Sequence, residues 1–174
     1  MGIKNYLIEG VSGTGKTSVC HELRRRAYHA INGDRELAYQ GDPKTGEPVD
    51  GPADDGTADS VRWRQEHHIW DVGKVKAVIA DRSNAISFFC GGSRNFARFI
   101  DLFDGVLVLE IDLDTLNRRL AARPEDEFGG RPVERELIVR VHATKEDTPK
   151  GVAIDATAPL DRVVDEILTK CRPG

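Results

Sequence analysis

The segment Gly10-Val11-Ser12-Gly13-Thr14-Gly15-Lys16-Thr17 fits the pattern GxxxxGK[ST] at every fixed position. Its residue types suit one kind of chemistry, the cradling of a polyphosphate. Glycines let backbone N–H groups curl around phosphate oxygens, and a helix starting here adds partial positive charge. Lys16 can reach the β- and γ-phosphates of a nucleoside triphosphate, and the Thr17 hydroxyl can ligate Mg²⁺. Gly10, Ser12, Gly13, Thr14, Gly15, Lys16, Thr17 and Ser18 are therefore the expected nucleotide contacts, with Thr17 the metal contact. The motif fixes nucleotide binding and leaves the reaction open.

Other candidates are less specific. Asn32-Gly33-Asp34 places a carboxylate after a short apolar run. Cys90-Gly91-Gly92-Ser93-Arg94-Asn95 combines paired glycines, which let a ligand approach the backbone, with a forked cationic donor for a phosphate or carboxylate. Arg118, Arg119, Arg123 and Arg131 straddle Pro124-Glu125-Asp126-Glu127-Phe128-Gly129-Gly130. His67 and His68 are adjacent, a poor spacing for one metal on a helix face, and receive no ligand role. Cys90 has no Cys/His constellation around it and reads as a buried strand residue. Asp81, Glu110 and Asp112 are weak metal candidates.

The elements that must position these residues alternate between strand and helix. Short apolar runs at Tyr6–Ile8, Tyr28–Ile31, Ile86–Cys90, Val106–Leu109 and Val152–Ile154 read as strands. Helical spacing joins Val19, Cys20, Leu23 and Ala27; Ile69, Val72, Val75, Val78 and Ile79; Phe96, Phe99, Ile100 and Phe103; Leu113, Leu116 and Leu120; Leu137, Ile138 and Val141; and Leu160, Val163, Val164, Ile167 and Leu168. Residues 40–60, rich in Gly, Pro and Asp, read as a flexible surface insertion with little core. The alternation predicts an α/β protein, a three-layer α/β/α sandwich on a five-stranded parallel sheet. Ligands then bind at the carboxyl ends of the strands, where every candidate above lies.

Composition removes other classes. The 174 residues suit one domain, 39% hydrophobic and 31% charged content fits a globular chain, and the net charge of −4 argues against a general nucleic-acid partner. Cys20, Cys90 and Cys171 are odd in number and widely spaced, which suits reduced thiols in a cytoplasmic protein. No apolar run is long enough to span a membrane. Thr144-Lys145-Glu146-Asp147 and Asp126-Glu127-Phe128-Gly129 resemble GTPase signatures but lie too close together to hold the intervening strand and helix. An AAA-type motor needs an additional helical domain for which the chain is too short.

With this loop, length and lid-like basic segment, the chain resembles the small nucleoside, nucleotide and shikimate kinase group over nearly its whole length. Gly10 to Thr17 is also similar to the loop of gluconate kinases. The resemblance implies further roles. Shikimate-type kinases carry Asp-x-Asp where this chain has Asn32-Gly33-Asp34, which leaves Asp34 as the candidate general base and acceptor contact, or alternatively a helix cap. Gly91, Gly92 and Arg94 match a glycine-rich acceptor turn, and Arg62 or Arg64 matches a substrate-binding arginine. Arg119-Leu120 looks like the Arg-Leu whose arginine stacks on adenine. Arg131-Pro132 looks like the lid Arg-Pro that reaches the transferred phosphate, with Gly129-Gly130 as a hinge free of core contacts. The turn Asp155-Ala156-Thr157-Ala158-Pro159 looks like the one bordering adenine, which makes Thr157 and Pro159 nucleotide contacts.

The expectation is thus a nucleotide-kinase-like P-loop domain over residues 1–174, with the insertion near 40–60 and a lid near 120–135. It uses ATP and Mg²⁺ to phosphorylate a small molecule, with Lys16, Asp34 and Arg131 as catalytic residues. A nucleoside or nucleotide acceptor comes first, a polyol or sugar acid second, and a non-catalytic nucleotide-binding regulator is the rival class. A monomer or small homo-oligomer is expected.

Overall fold

The computed structural model describes residues 3–171. Five parallel strands form the main sheet: β1 (Lys4–Glu9), β2 (His29–Asn32), β5 (Ile86–Cys90), β6 (Gly105–Glu110) and β7 (Val152–Asp155). Their order is β2-β5-β1-β6-β7. β1 pairs with β5 from Lys4↔Ile86 to Ile8↔Cys90, and with β6 from Tyr6↔Gly105 to Glu9↔Val108. The P-loop therefore leaves the middle strand.

Strand side chains alternate between the two faces, so adjacent residues enter different cores. Ile8 and Phe88 join Leu107, Leu109 and Ile154 under α1 (Lys16–Arg25), α5 (Leu113–Ala121), α6 (Pro132–Thr144) and α7 (Leu160–Cys171). Leu7 and Phe89 join Ile31, Trp70, Val75 and Phe99 on the other face, under α4 (Val72–Ala80). This two-sided burial is what a parallel sheet demands. All five expected strands and the three-layer architecture are present.

Four local expectations differ. Ile69 does not start a helix: it lies in β4 (His68–Trp70), antiparallel to β3 (Ala38–Gln40). Asp71 caps α4 through Lys74 N–H at 3.0 Å, so the helix starts after it. The stripe Phe96, Phe99, Ile100 and Phe103 winds as two 3₁₀ turns, Phe96–Arg98 and Ile100–Leu102, broken at Phe99 with φ −139°. Ala27 falls beyond α1 with φ +67°. The segment 40–60 is mostly exposed, as expected, but it contains a bridge between Gly41 and Pro48, and α3 (Ala58–Glu66) starts inside it, capped by Thr57.

Candidate active site

At the end of β1 the chain turns through Gly10 into α1. Gly15, the residue before α1, has φ +99°, a conformation that strains any residue with a side chain. A Cβ on Gly13 would come 2.7 Å from Leu116, so the loop lies directly against α5. The Thr14 hydroxyl donates to the Val11 carbonyl at 2.8 Å and closes the loop on itself. Lys16 Nζ donates to the Gly10 carbonyl, folded onto the loop it is expected to leave when phosphates compete for it.

Arg119 of α5 spans two loops. Nη1 donates to the Gly13 and Thr14 carbonyls, each at 3.2 Å, and Nη2 to the Ala156 carbonyl at 2.8 Å. These contacts fix a flat cation along a cavity of about 320 Å³, walled also by Gly15, Ser18, Ala156, Ala158 and Leu160. That position suits a stacking platform for a base. Thr157 and Pro159, expected as nucleotide contacts, do not wall this cavity. Both are exposed, and the Thr157 hydroxyl donates to Asp155 Oδ1 within the turn. Their neighbours Ala156 and Ala158 line the cavity instead.

On the other side of Lys16 a larger cavity of about 730 Å³ opens at the ends of β2 and β5. Asp34, Arg64, Gln65, His68, Gly92 and Arg94 share it with Lys16 and Thr17. Asp34 belongs to the short helix α2 (Gly33–Glu36) but caps nothing. Its Oδ1 accepts from His68 Nε2 at 3.0 Å and from Gly92 N–H at 3.4 Å. Burial raises the Asp34 pKa, but the His68 hydrogen bond and the Lys16 charge outweigh it and hold the carboxyl below its ordinary range.

The scaffold under Asp34 is Trp70, which is fully buried. A Cβ on Gly33 would come 2.1 Å from the indole, and one on Gly91 2.9 Å from the indole and 2.8 Å from Asp34 Oδ1. The two glycines thus let the chain ends of β2 and β5 close on one ring. Asn95, also buried, accepts from the Trp70 N–H at 3.0 Å and donates to its carbonyl at 2.9 Å, which ties the turn after β5 to β4.

Arg94 also lines this cavity. Its Nη1 lies 2.6 Å from Asp147 Oδ2, and its Nε is buried without a partner. Arg64 also lines the cavity. Arg62 does not and is exposed, because a step of two residues on α3 rotates a side chain onto a different face. Asp147, the last residue of Thr144–Asp147, is the one that reaches Arg94 and lines the cavity. Asp81 is excluded as a metal contact: it follows α4 at the amino end of the sheet and binds Ser83. Asp112 caps α5 through Thr115 N–H at 2.7 Å.

The lid region rearranges the expected roles. Arg131 is the residue before α6, and its guanidinium holds Asp54 at 3.1–3.3 Å and Glu134 at 3.1 Å. It lines neither cavity, because Asp54 of the insertion holds it. Arg123 lines both, and its Nη1 donates to Ser12 Oγ of the loop at 3.0 Å. The hinge is not free of core contacts: Gly129 and Gly130 are buried, and a Cβ on Gly129 would sit 3.0 Å from Leu120 and Ile138.

The family model described as AAA domain matches residues 7–140, from β1 through most of α6. The chain belongs to that family. No curated protein matches it in sequence. Among solved structures, the chain is similar to a gluconokinase from Sinorhizobium meliloti 1021, at 20% identity and TM-score 0.54 over 95% of this chain and 90% of that one. It is also similar to a shikimate kinase from Bacteroides thetaiotaomicron, at 14% identity and TM-score 0.58 over 96% and 97%. A deoxyadenosine kinase from M. mycoides with bound dATP matches at 13% identity and TM-score 0.51 over 95% and 97%. At these identities the likeness is one of fold, and the fold is that of the P-loop small-molecule kinases.

Within this family fold, three site residues escape the sequence reading. His68 meets Asp34 only because β4 pairs with β3. Arg123 was visible as one arginine of a cluster, but its place on the loop was not. Glu9 precedes the motif and carries no signal of its own. It is 2% exposed, with Oε1 unpartnered beside Lys16 and Arg94. Burial pushes its carboxyl up to about 7, and the two cations only partly pull it back. No group of three or more His, Cys, Asp or Glu among the described residues could hold a metal alone. Mg²⁺ carried on phosphates needs only one or two protein contacts, and the Thr17 hydroxyl at the cavity wall fits that role.

Proposed function

We propose that the chain is an ATP-dependent phosphotransferase that moves the γ-phosphate to a hydroxyl of a small acceptor. One observation carries the reading: Lys16 and Asp34 face the same cavity, with the phosphate loop on one side and an unfilled polar wall on the other. In this reading the acceptor oxygen attacks the γ-phosphorus. The bond to the bridging oxygen breaks, ADP leaves with the electron pair, and the hydroxyl proton passes to Asp34. Lys16 and Arg123 offset charge on the transferring group, and Arg119 holds the base. Thr17 would help hold Mg²⁺ on the phosphates, where the ion would supply further charge neutralisation.

A nucleoside or nucleotide is the acceptor class the sequence favours. The wall nearest Asp34 supports a second reading, a polyhydroxylated acid. Arg64, Gln65, His68 and Arg94 offer hydrogen bonds and positive charge there, a polar lining suited to hydroxyl and carboxylate groups. A thermal-shift and γ-labelled ATP screen with nucleosides, nucleotides and sugar acids tests this. An acceptor at 100-fold over its Kd adds about 2.7 kcal/mol of stability. A shift accompanied by label transfer supports the kinase. ATP binding with no transfer to any class would favour the regulator.

A further inference from the structure

Asp34 and His68 are far apart in the chain and meet through a closed frame. Asp34 follows β2 in α2, β3 follows α2, and β4 pairs with β3 and opens on His68. The backbone carbonyl of His68 accepts Arg94 N–H at 2.9 Å, so the same strand is tied to the turn that supplies Gly92. Both donors of that frame, His68 Nε2 and Gly92 N–H, converge on one oxygen of Asp34. No hydrogen bond from the described residues reaches the other oxygen, Oδ2.

We propose that His68 is a positioning residue for the acceptor end: its Nε2–H holds Asp34 Oδ1 so that Oδ2 is left to receive the acceptor hydroxyl. This rests on the kinase reading above. A carboxylate that must accept a proton in a fixed direction gains from one oxygen being tethered, because a free carboxylate rotates about its own axis. Gly92 N–H alone, at 3.4 Å, is a weak tether. The 3.0 Å contact from an imidazole on a paired strand is the stronger one. The carboxyl group sits deep enough for burial to act on its pKa, yet both side chains keep over a third of their surface open, His68 at 35% and Asp34 at 40%. A hydrogen bond between side chains this exposed contributes little stability, so its role lies in geometry.

Two measurements on the full chain test the proposal. The first is a carbon-detected titration of the Asp34 carboxyl. The groups acting on it are Lys16 from α1, His68 from β4 and Gly92 N–H, with Glu9 and Arg94 beyond. His68→Leu should raise its midpoint, and His68→Gln, which keeps a donor at a similar reach, should bring it most of the way back. An unmoved midpoint in His68→Leu overturns the pairing. The second is steady-state kinetics with the acceptor found by the screen. His68→Leu should lower kcat about tenfold at an unchanged KM for ATP, and His68→Gln should recover to within about threefold. Equal losses in both variants, or a loss carried by the KM for ATP, overturn the positioning role. If the wild-type chain and Lys16→Ala transfer no phosphate to any acceptor, the kinase reading fails, and the titration still decides the His68–Asp34 pairing.

Discussion

At the carboxyl end of β1 the proposed nucleotide end is built from backbone: Gly13 to Thr17 wrap a helix N-terminus, and Arg119 is locked by three carbonyls. At the ends of β2 and β5 the proposed acceptor end is built from side chains. Asp34, His68 and Arg94 come from three elements, with Glu9 and Asp147 as charges beside them. The first region keeps its geometry through local chain conformation. The second keeps it through Trp70, the two glycines packed on it and the Asn95 clasp. A backbone cradle tolerates many ligands with the same phosphate tail. A side-chain wall selects, and each of its members is a separate point of failure.

The largest expected effect separates the two regions at their shared residue. Lys16→Ala should lower transfer about 10³-fold while the melting temperature stays close to wild type, since the loop backbone remains. Turnover near wild type in the purified variant would remove the cradle from the mechanism. Asp34→Asn comes next, with kcat down about 10²-fold and ATP affinity kept. Collapse of ATP affinity with acceptor dependence intact would mean that Asp34 serves the nucleotide end.

Glu9 sharpens the comparison through stability. Its folded carboxyl sits near 7, above its ordinary 4.5, so the proton it holds stabilises the folded chain at low pH. That contribution is complete below about 4.5 and is lost as pH rises through 7. Between pH 5 and 7.5 it should amount to a decline of about 2 kcal/mol, and Glu9→Gln should flatten it. Identical pH profiles from urea unfolding of the two proteins would refute the buried-charge account.

The smallest effect distinguishes two arginines. Arg123→Ala should lower kcat about tenfold, more than it weakens ATP binding, because Arg123 already touches Ser12. Arg131→Ala should cost less, because Asp54 and Glu134 hold that side chain away from both cavities. A larger loss in Arg131→Ala would mean that closure releases it from Asp54 and carries it to the phosphates. Hydrogen exchange over residues 124–132 with and without ATP reads that movement directly.

The sequence by itself determined the parallel sheet, its five strands and the loop after β1. Those features are local: an apolar run, a glycine pattern and a helix start lie within a few residues of one another, and period-2 or helical spacing reports them. It also pointed to Asp34 and Arg94, which line one cavity, because each comes shortly after a strand and strand ends converge at one edge. Tertiary structure alone decided the rest. Arg64 rather than Arg62 faces the cavity because of the rotation of α3. Arg123 rather than Arg131 meets the loop because the Asp54 insertion claims the latter. His68 reaches Asp34 only through the β3–β4 pair. Glu9 acquires a raised pKa only because the sheet buries it, against the opposing pull of Lys16 and Arg94. Contacts between distant residues depend on which faces the packing brings together, and spacing along the chain does not encode that.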